Sequence, residues 1–126
     1  MDSRALLLVS CFFVIGCIGF GGSSPGGCGG EWDQTARDSC HYNDALSGQN
    51  ASVCGSITEN VLKDSCYYKV AELSQEPRVC GGIVDWYRRD DCYYYISVAA
   101  GDPSGCEEIT AKGKRENCNE KLGETD

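Results

Sequence analysis

The chain has 126 residues and a mass of 13.6 kDa, room for one modest domain and not two. Eleven Lys and Arg stand against 19 Asp and Glu, a formal net charge of −8, which argues against a nucleic-acid partner because such proteins present a basic face. Ten Cys, about 8% of the chain, point to an oxidising compartment or to an intracellular protein of a hyperthermophile.

The first elements are a targeting segment. Met1-Asp-Ser-Arg4 is a short head with one basic side chain, and Ala5 to Ile15 is an apolar run interrupted only by Ser10. A run of that length fits the core of a secretory signal, roughly 7–15 residues. It is too short for a membrane-spanning helix, which needs about 20. The run closes on Val14-Ile15-Gly16-Cys17. This tetrapeptide resembles the lipobox of prokaryotic lipoproteins. The resemblance implies removal of residues 1–16, a lipid on the sulfur of Cys17, and a mature protein at the outer face of the cell membrane. The alternatives are a secreted protein, or one anchored by an uncleaved N-terminal segment. Residues 17–23, rich in Gly, read as a flexible tether, and the Gly-Cys-Ile-Gly start is similar to that of lipoproteins from archaea.

The next feature is a repeat. Cys28, Cys40, Cys54, Cys66, Cys80, Cys92, Cys106 and Cys118 are separated alternately by 12 and 14 residues, a period of 26. Self-similarity at such a period is the signature of a stacked array. Four segments align without gaps: 24–49, 50–75, 76–101 and 102–126. They open on Ser24-Pro25, Asn50-Ala51, Glu76-Pro77 and Asp102-Pro103, a pattern of helix N-cap and first helical residue. The reading is all-α: four helix–turn–helix units, each a short helix of about two turns followed by a longer one, as in a solenoid. In the third unit the spacing places the long helix over Trp86 to Ala100 with Gly101 as its stop, and Gly48 takes that part in the first. Asp33, Thr58 and Asp85 are the candidate caps of the long helices. Leu62, Cys66, Val70 and Leu73 share one helical face, widened by Tyr67 and Ala71.

Two disulfide schemes suit the repeat. Each segment closes on itself across 12 residues, or neighbours are joined across 14, which strands Cys28 and Cys118. Two Cys 12 apart in one helix are about 18 Å apart, and a disulfide needs Cα atoms within roughly 7 Å. Self-closure therefore requires a helix break in every segment. It is favoured because it uses all eight Cys and repeats with the unit.

Catalytic and metal chemistry have little to build on. Zinc sites pair ligands within a few residues, a spacing the Cys do not show, and the single His41 stands in a column filled by Tyr67 and Tyr93, so it reads as a packing position. Asp90, Asp91, Glu107 and Glu108 read as solvated helix surface. The base and acid before each second Cys (Arg37-Asp38, Lys63-Asp64, Arg89-Asp90, Arg115-Glu116) read as a ladder between units, with Lys63 and Arg89 stacked on Tyr67 and Tyr93 one turn on. No cofactor or metal is implied. The one hint of recognition is aromatic: Tyr67, Tyr68, Trp86, Tyr87, Tyr93, Tyr94 and Tyr95 cluster in the second and third segments, a candidate patch for an extracellular protein or a glycan. Asn50-Ala51-Ser52 is an N-glycosylation sequon.

Asp64-Ser65-Cys66-Tyr67-Tyr68 and Asp90-Asp91-Cys92-Tyr93-Tyr94 resemble the Cys-framed repeats of secreted or membrane-anchored archaeal proteins. That resemblance, over residues 24 to about 122, implies a style of fold and no activity. The expectation is a non-enzymatic surface lipoprotein whose helical array displays a binding or structural surface; the alternative is a solute- or glycan-binding module using the Tyr/Trp patch.

Overall fold

The structure, a computed structural model, describes residues 27–30 and 33–123. The expected leader 1–16, Cys17, the tether and the Ser24-Pro25 opening lie outside the described residues. Among the described residues every regular element is helical. Four long helices run over Gln34–Gly48 (α1), Asn60–Ser74 (α3), Trp86–Ala100 (α4) and Lys112–Gly123 (α6). Short elements precede them: 3-10 turns at Gly27–Gly29 and Pro77–Gly82, and single α-turns at Ala51–Cys54 (α2) and Ser104–Glu107 (α5). No described helix is long and apolar enough to cross a membrane.

Local sequence explains the boundaries. Asp33 and Asp85 stop the preceding chain and cap α1 and α4, accepting from Ala36 N–H and Arg88 N–H. At α3 the cap is Glu59, not Thr58: its carboxylate accepts from Val61 and Leu62 N–H. Thr58 instead accepts from Gln34 at 2.9 Å. Caps of this kind satisfy the free amides of a first turn. The long helices end at Gln49, Gln75 and Gly101, all left-handed at φ 48°, 56° and 67°. Gly48 is therefore the last helical residue and not the stop. Only at Gly101 does the residue type match the left-handed preference, because glycine has no Cβ to clash. The short elements at α2 and α5 are single turns and not two, whereas Pro77–Gly82 has six residues, about two turns of 3-10 helix. Asn50 caps α2 through Ser52 N–H, Asp102 accepts from Ser104 N–H, and Glu76 makes no side-chain cap.

The breaks let each segment fold back on itself. The disulfides are Cys28–Cys40, Cys54–Cys66, Cys80–Cys92 and Cys106–Cys118, each across 12 residues. Closing a loop of that size contributes about 3 kcal/mol, chiefly by restricting the unfolded chain. The last three bonds are completely buried and, with Ile57, Ile83 and Ile109, form the spine of the core. Long helices pack in order, α1 on α3, α3 on α4, and α4 on α6. Leu62 packs at the edge of this core, whereas Leu73 is half exposed and off the expected face.

One contact recurs at each described joint. Asp38 accepts from the N–H groups of Thr58 and Glu59, Asp64 from those of Val84 and Asp85, and Asp90 from those of Thr110 and Ala111, all at 2.8–3.1 Å. Each carboxylate sits in one segment and grips the turn before the long helix of the next. The three aspartates are buried, Asp90 completely. The expected acid–base ladder is thus replaced: the acid is spent on backbone amides, where a charged acceptor gives the strongest neutral-donor bonds. Its basic neighbour turns inward, Arg89 and Arg115 donating to the carbonyls of Ile83 and Ile109 at 3.4 and 2.9 Å.

Candidate functional site

The aromatic patch divides into two sets. Tyr93 is buried and Tyr67 packs into the core, so neither belongs to a recognition surface. A Cβ on Gly82 would overlap the ring of Tyr67, and one on Gly81 would come within 3.0 Å of the Tyr93 hydroxyl. Glycine lets the rings lie directly on the backbone. Burial raises the pKa of Tyr93 above its usual 10. Tyr68 and Tyr94 are partly buried. Trp86, Tyr87 and Tyr95 remain 57–58% exposed. Trp86 and Tyr87 meet edge to face, as do Tyr94 and Tyr95.

Of the exposed set only Tyr95 lines a groove of about 310 Å³ along α3 and α4, which Tyr42 of α1 lines as well. Tyr68, Ser65, Lys69, Ile83 and Arg88 also line it, with the carboxylates of Asp64 and Asp91. Burial and then the Glu72 carboxylate push the Tyr68 pKa up, so its hydroxyl stays protonated across the physiological range. Lys69 is engaged with Glu72 in an exposed i,i+3 pair at 2.7 Å.

The corresponding place one joint further on is filled. Lys114 forms an ion pair with Asp91, both partly buried, and lies 4.7 Å from the centre of the Tyr87 ring. The Asp91 hydrogen bond raises the Lys114 pKa. Tyr94 donates to Asn117 at 2.6 Å across the same joint. The cation–π contact is therefore made by Lys114 on Tyr87, while Arg89 goes to a carbonyl rather than to Tyr93.

The acidic residues correct the surface reading. Asp90 is wholly buried and structural, Asp91 is half buried and paired, and only Glu107 and Glu108 are exposed as expected, with Glu107 accepting from Asn119. Near the start of the described chain, Cys28, Cys40 and Asp44 cluster, with Asp44 Oδ2 3.1 Å from the Cys28 sulfur. Both sulfurs are consumed in a disulfide, and a thiolate is what ligates metal. Asn50 is exposed, its side-chain oxygen accepting from the N–H and hydroxyl of Ser52 at 3.1 and 2.6 Å, so the sequon stands at the surface on the turn that opens α2.

Arg88 and Ser65, which line the groove, carry no signal in the sequence, because what sets them apart is the pair that occupies the same columns 26 residues on, Lys114 and Asp91. Comparison with protein-family models, with curated proteins and with solved structures gives no match.

Proposed function

We propose that residues 24–126 are a tandem array of four 26-residue repeats, exported and held at the outer face of a cell membrane by a lipid on Cys17, with 1–16 removed and 17–23 as the tether. The array acts without catalysis, as a rigid module for extracellular binding or structural display. Its partner is a protein or a glycan outside the cell. The observation that supports this most directly is the grip of Asp38, Asp64 and Asp90 on the following segment, which recurs at the same 20- and 21-residue separations. A carboxylate consumed in this way is unavailable for acid–base chemistry, and it makes each segment a support for the next. Glycosylation of Asn50 is compatible with the array, since Asn50 is exposed at a segment boundary.

Metabolic labelling with a lipid precursor tests the anchor. The wild-type protein takes up label and Cys17→Ser does not; label that survives the substitution, or none in the wild type, overturns the anchor.

A second reading is favoured by the groove bordered by Tyr42, Tyr68 and Tyr95: the array is a solute- or glycan-capturing module. The reading now excludes Tyr67 and Tyr93, which serve packing, and gains Tyr42, Ser65 and Arg88.

A further inference from the structure

The groove and the filled joint can be compared position by position. Lys114 is held by Asp91 and by the ring of Tyr87. One period earlier these three columns read Arg88, Ser65 and Val61. The cation is kept, while both groups that would neutralise it are replaced, the carboxylate by a hydroxyl and the ring by an aliphatic side chain. Arg88 is exposed, and among the described residues its guanidinium makes no ion pair and no side-chain hydrogen bond. The nearby carboxylates are occupied. Asp64 is bound to the amides of Val84 and Asp85, Asp85 caps Arg88 N–H, Asp91 is paired with Lys114, and Glu72 with Lys69.

We propose that the groove at Arg88 binds a carboxylate-bearing sugar, such as a uronic acid unit of an acidic polysaccharide. The proposal rests on the second reading above and names its ligand class. The ligand's carboxylate takes the place that Asp91 holds at the next joint, and the planar guanidinium receives it through two parallel hydrogen bonds. Tyr42, Tyr68 and Tyr95 offer ring faces to the sugar's C–H surface and hydroxyls to its own. Ser65 adds a hydroxyl that both donates and accepts. Asp64 and Asp91 also line the groove, but they are engaged with the Val84 and Asp85 amides and with Lys114, and the Tyr and Ser hydroxyls around Arg88 match a polyhydroxylated ligand. At about 310 Å³ the groove lies at the lower end of small-ligand sites, roughly 300–1,000 Å³, so it takes a short stretch of chain. Because the protein is net negative, −8 overall, attraction is local to Arg88 and weakens as salt is added.

Calorimetric titration of the oxidised protein tests this with three probes: trigalacturonate, the neutral galactose trisaccharide, and a triglutamate peptide. Trigalacturonate should bind about tenfold or more tightly than the neutral sugar, as expected of a charge-assisted pair worth about 1.5–3 kcal/mol. Arg88→Gln and Ser65→Asp should each reduce trigalacturonate to the level of the neutral sugar, with helicity and disulfide mass unchanged. Equal binding of acidic and neutral sugar, insensitive to Arg88→Gln, overturns the acid-specific site and leaves the sugar-binding reading standing. Binding of neither sugar overturns both. Triglutamate binding as well as trigalacturonate overturns the assignment to sugar.

Discussion

The buried and outer sides of the joints follow opposite rules. On the buried side each described joint is the same: an aspartate two residues before the second Cys of a disulfide clamps two amides 20 and 21 residues on, directly after a buried isoleucine. On the outer side the joints differ. Between α4 and α6 the cation Lys114 meets Asp91 and Tyr87, and Tyr94 meets Asn117; between α3 and α4 the matching cation Arg88 faces Ser65. Repetition marks what stacking demands, since every segment must hold the next by the same geometry. Variation marks where stacking makes no demand, and there a side chain is free to serve a ligand.

The sharpest test of this division is Asp90→Ala against Glu116→Ala. The two residues share a column, but Asp90 is buried on two amides and Glu116 is exposed on α6. Asp90→Ala strands two buried donors and should cost about 3–5 kcal/mol of unfolding free energy in denaturant titration. Glu116→Ala should stay within about 0.5 kcal/mol; comparable losses would erase the distinction between inner and terminal positions.

Next in size is Gly82→Ala. The new methyl would meet the Tyr67 ring, and overpacking of this kind costs about 1–3 kcal/mol. Gly113, with nothing near its missing Cβ in helix α6, should instead gain up to about 1 kcal/mol as alanine. An unchanged midpoint for Gly82→Ala would show that Tyr67 is not packed as described.

A smaller gain is expected at Ser97. Its hydroxyl is buried without a partner, and the same column holds the buried Ala71 one segment earlier. Ser97→Ala should raise stability by about 1 kcal/mol by removing an unsatisfied group; a loss would mean the hydroxyl is in use.

The smallest effect is the acid limb of stability. The Thr58 N–H above all, then the Glu59 N–H and the Gln34 amide, hold the Asp38 carboxyl below its ordinary 3.8, against the opposing push of burial. A depressed carboxyl contributes stability that is complete above pH 3.8 and is lost as pH falls through the lowered folded value. Asp38→Asn should flatten that part of the stability profile; a profile parallel to wild type below pH 3.8 would remove Asp38 from the acid response.

Much of the local structure was legible because its causes are local. Trp86 to Ala100 is helical as the spacing indicated, Gly101 stops it, and Asp33 and Asp85 cap where a short acceptor precedes a helical run. Gln49 and Gln75 were not legible as stops, since their left-handed backbone is imposed by the turn into the next segment and not by their own preference. The acid before each second Cys read as a rung of a base–acid ladder, and Asp90 also as solvated surface, because the true partners are backbone amides 20 residues away in sequence.

The sequence by itself determined the period: eight cysteines at alternating separations of 12 and 14, with closure across 12 favoured over joining neighbours across 14. Spacing goes that far, because a straight helix exceeds the Cα separation a disulfide tolerates and closure across 12 therefore needs a break; the structure supplies the breaks and the pairing. Only the tertiary structure decided which aromatics are buried, what each aspartate holds, and that among the described residues Arg88 makes no ion pair while Lys114 does. Burial and charge pairing are properties of neighbours across a joint, and a column of residues carries no record of which neighbour each one meets.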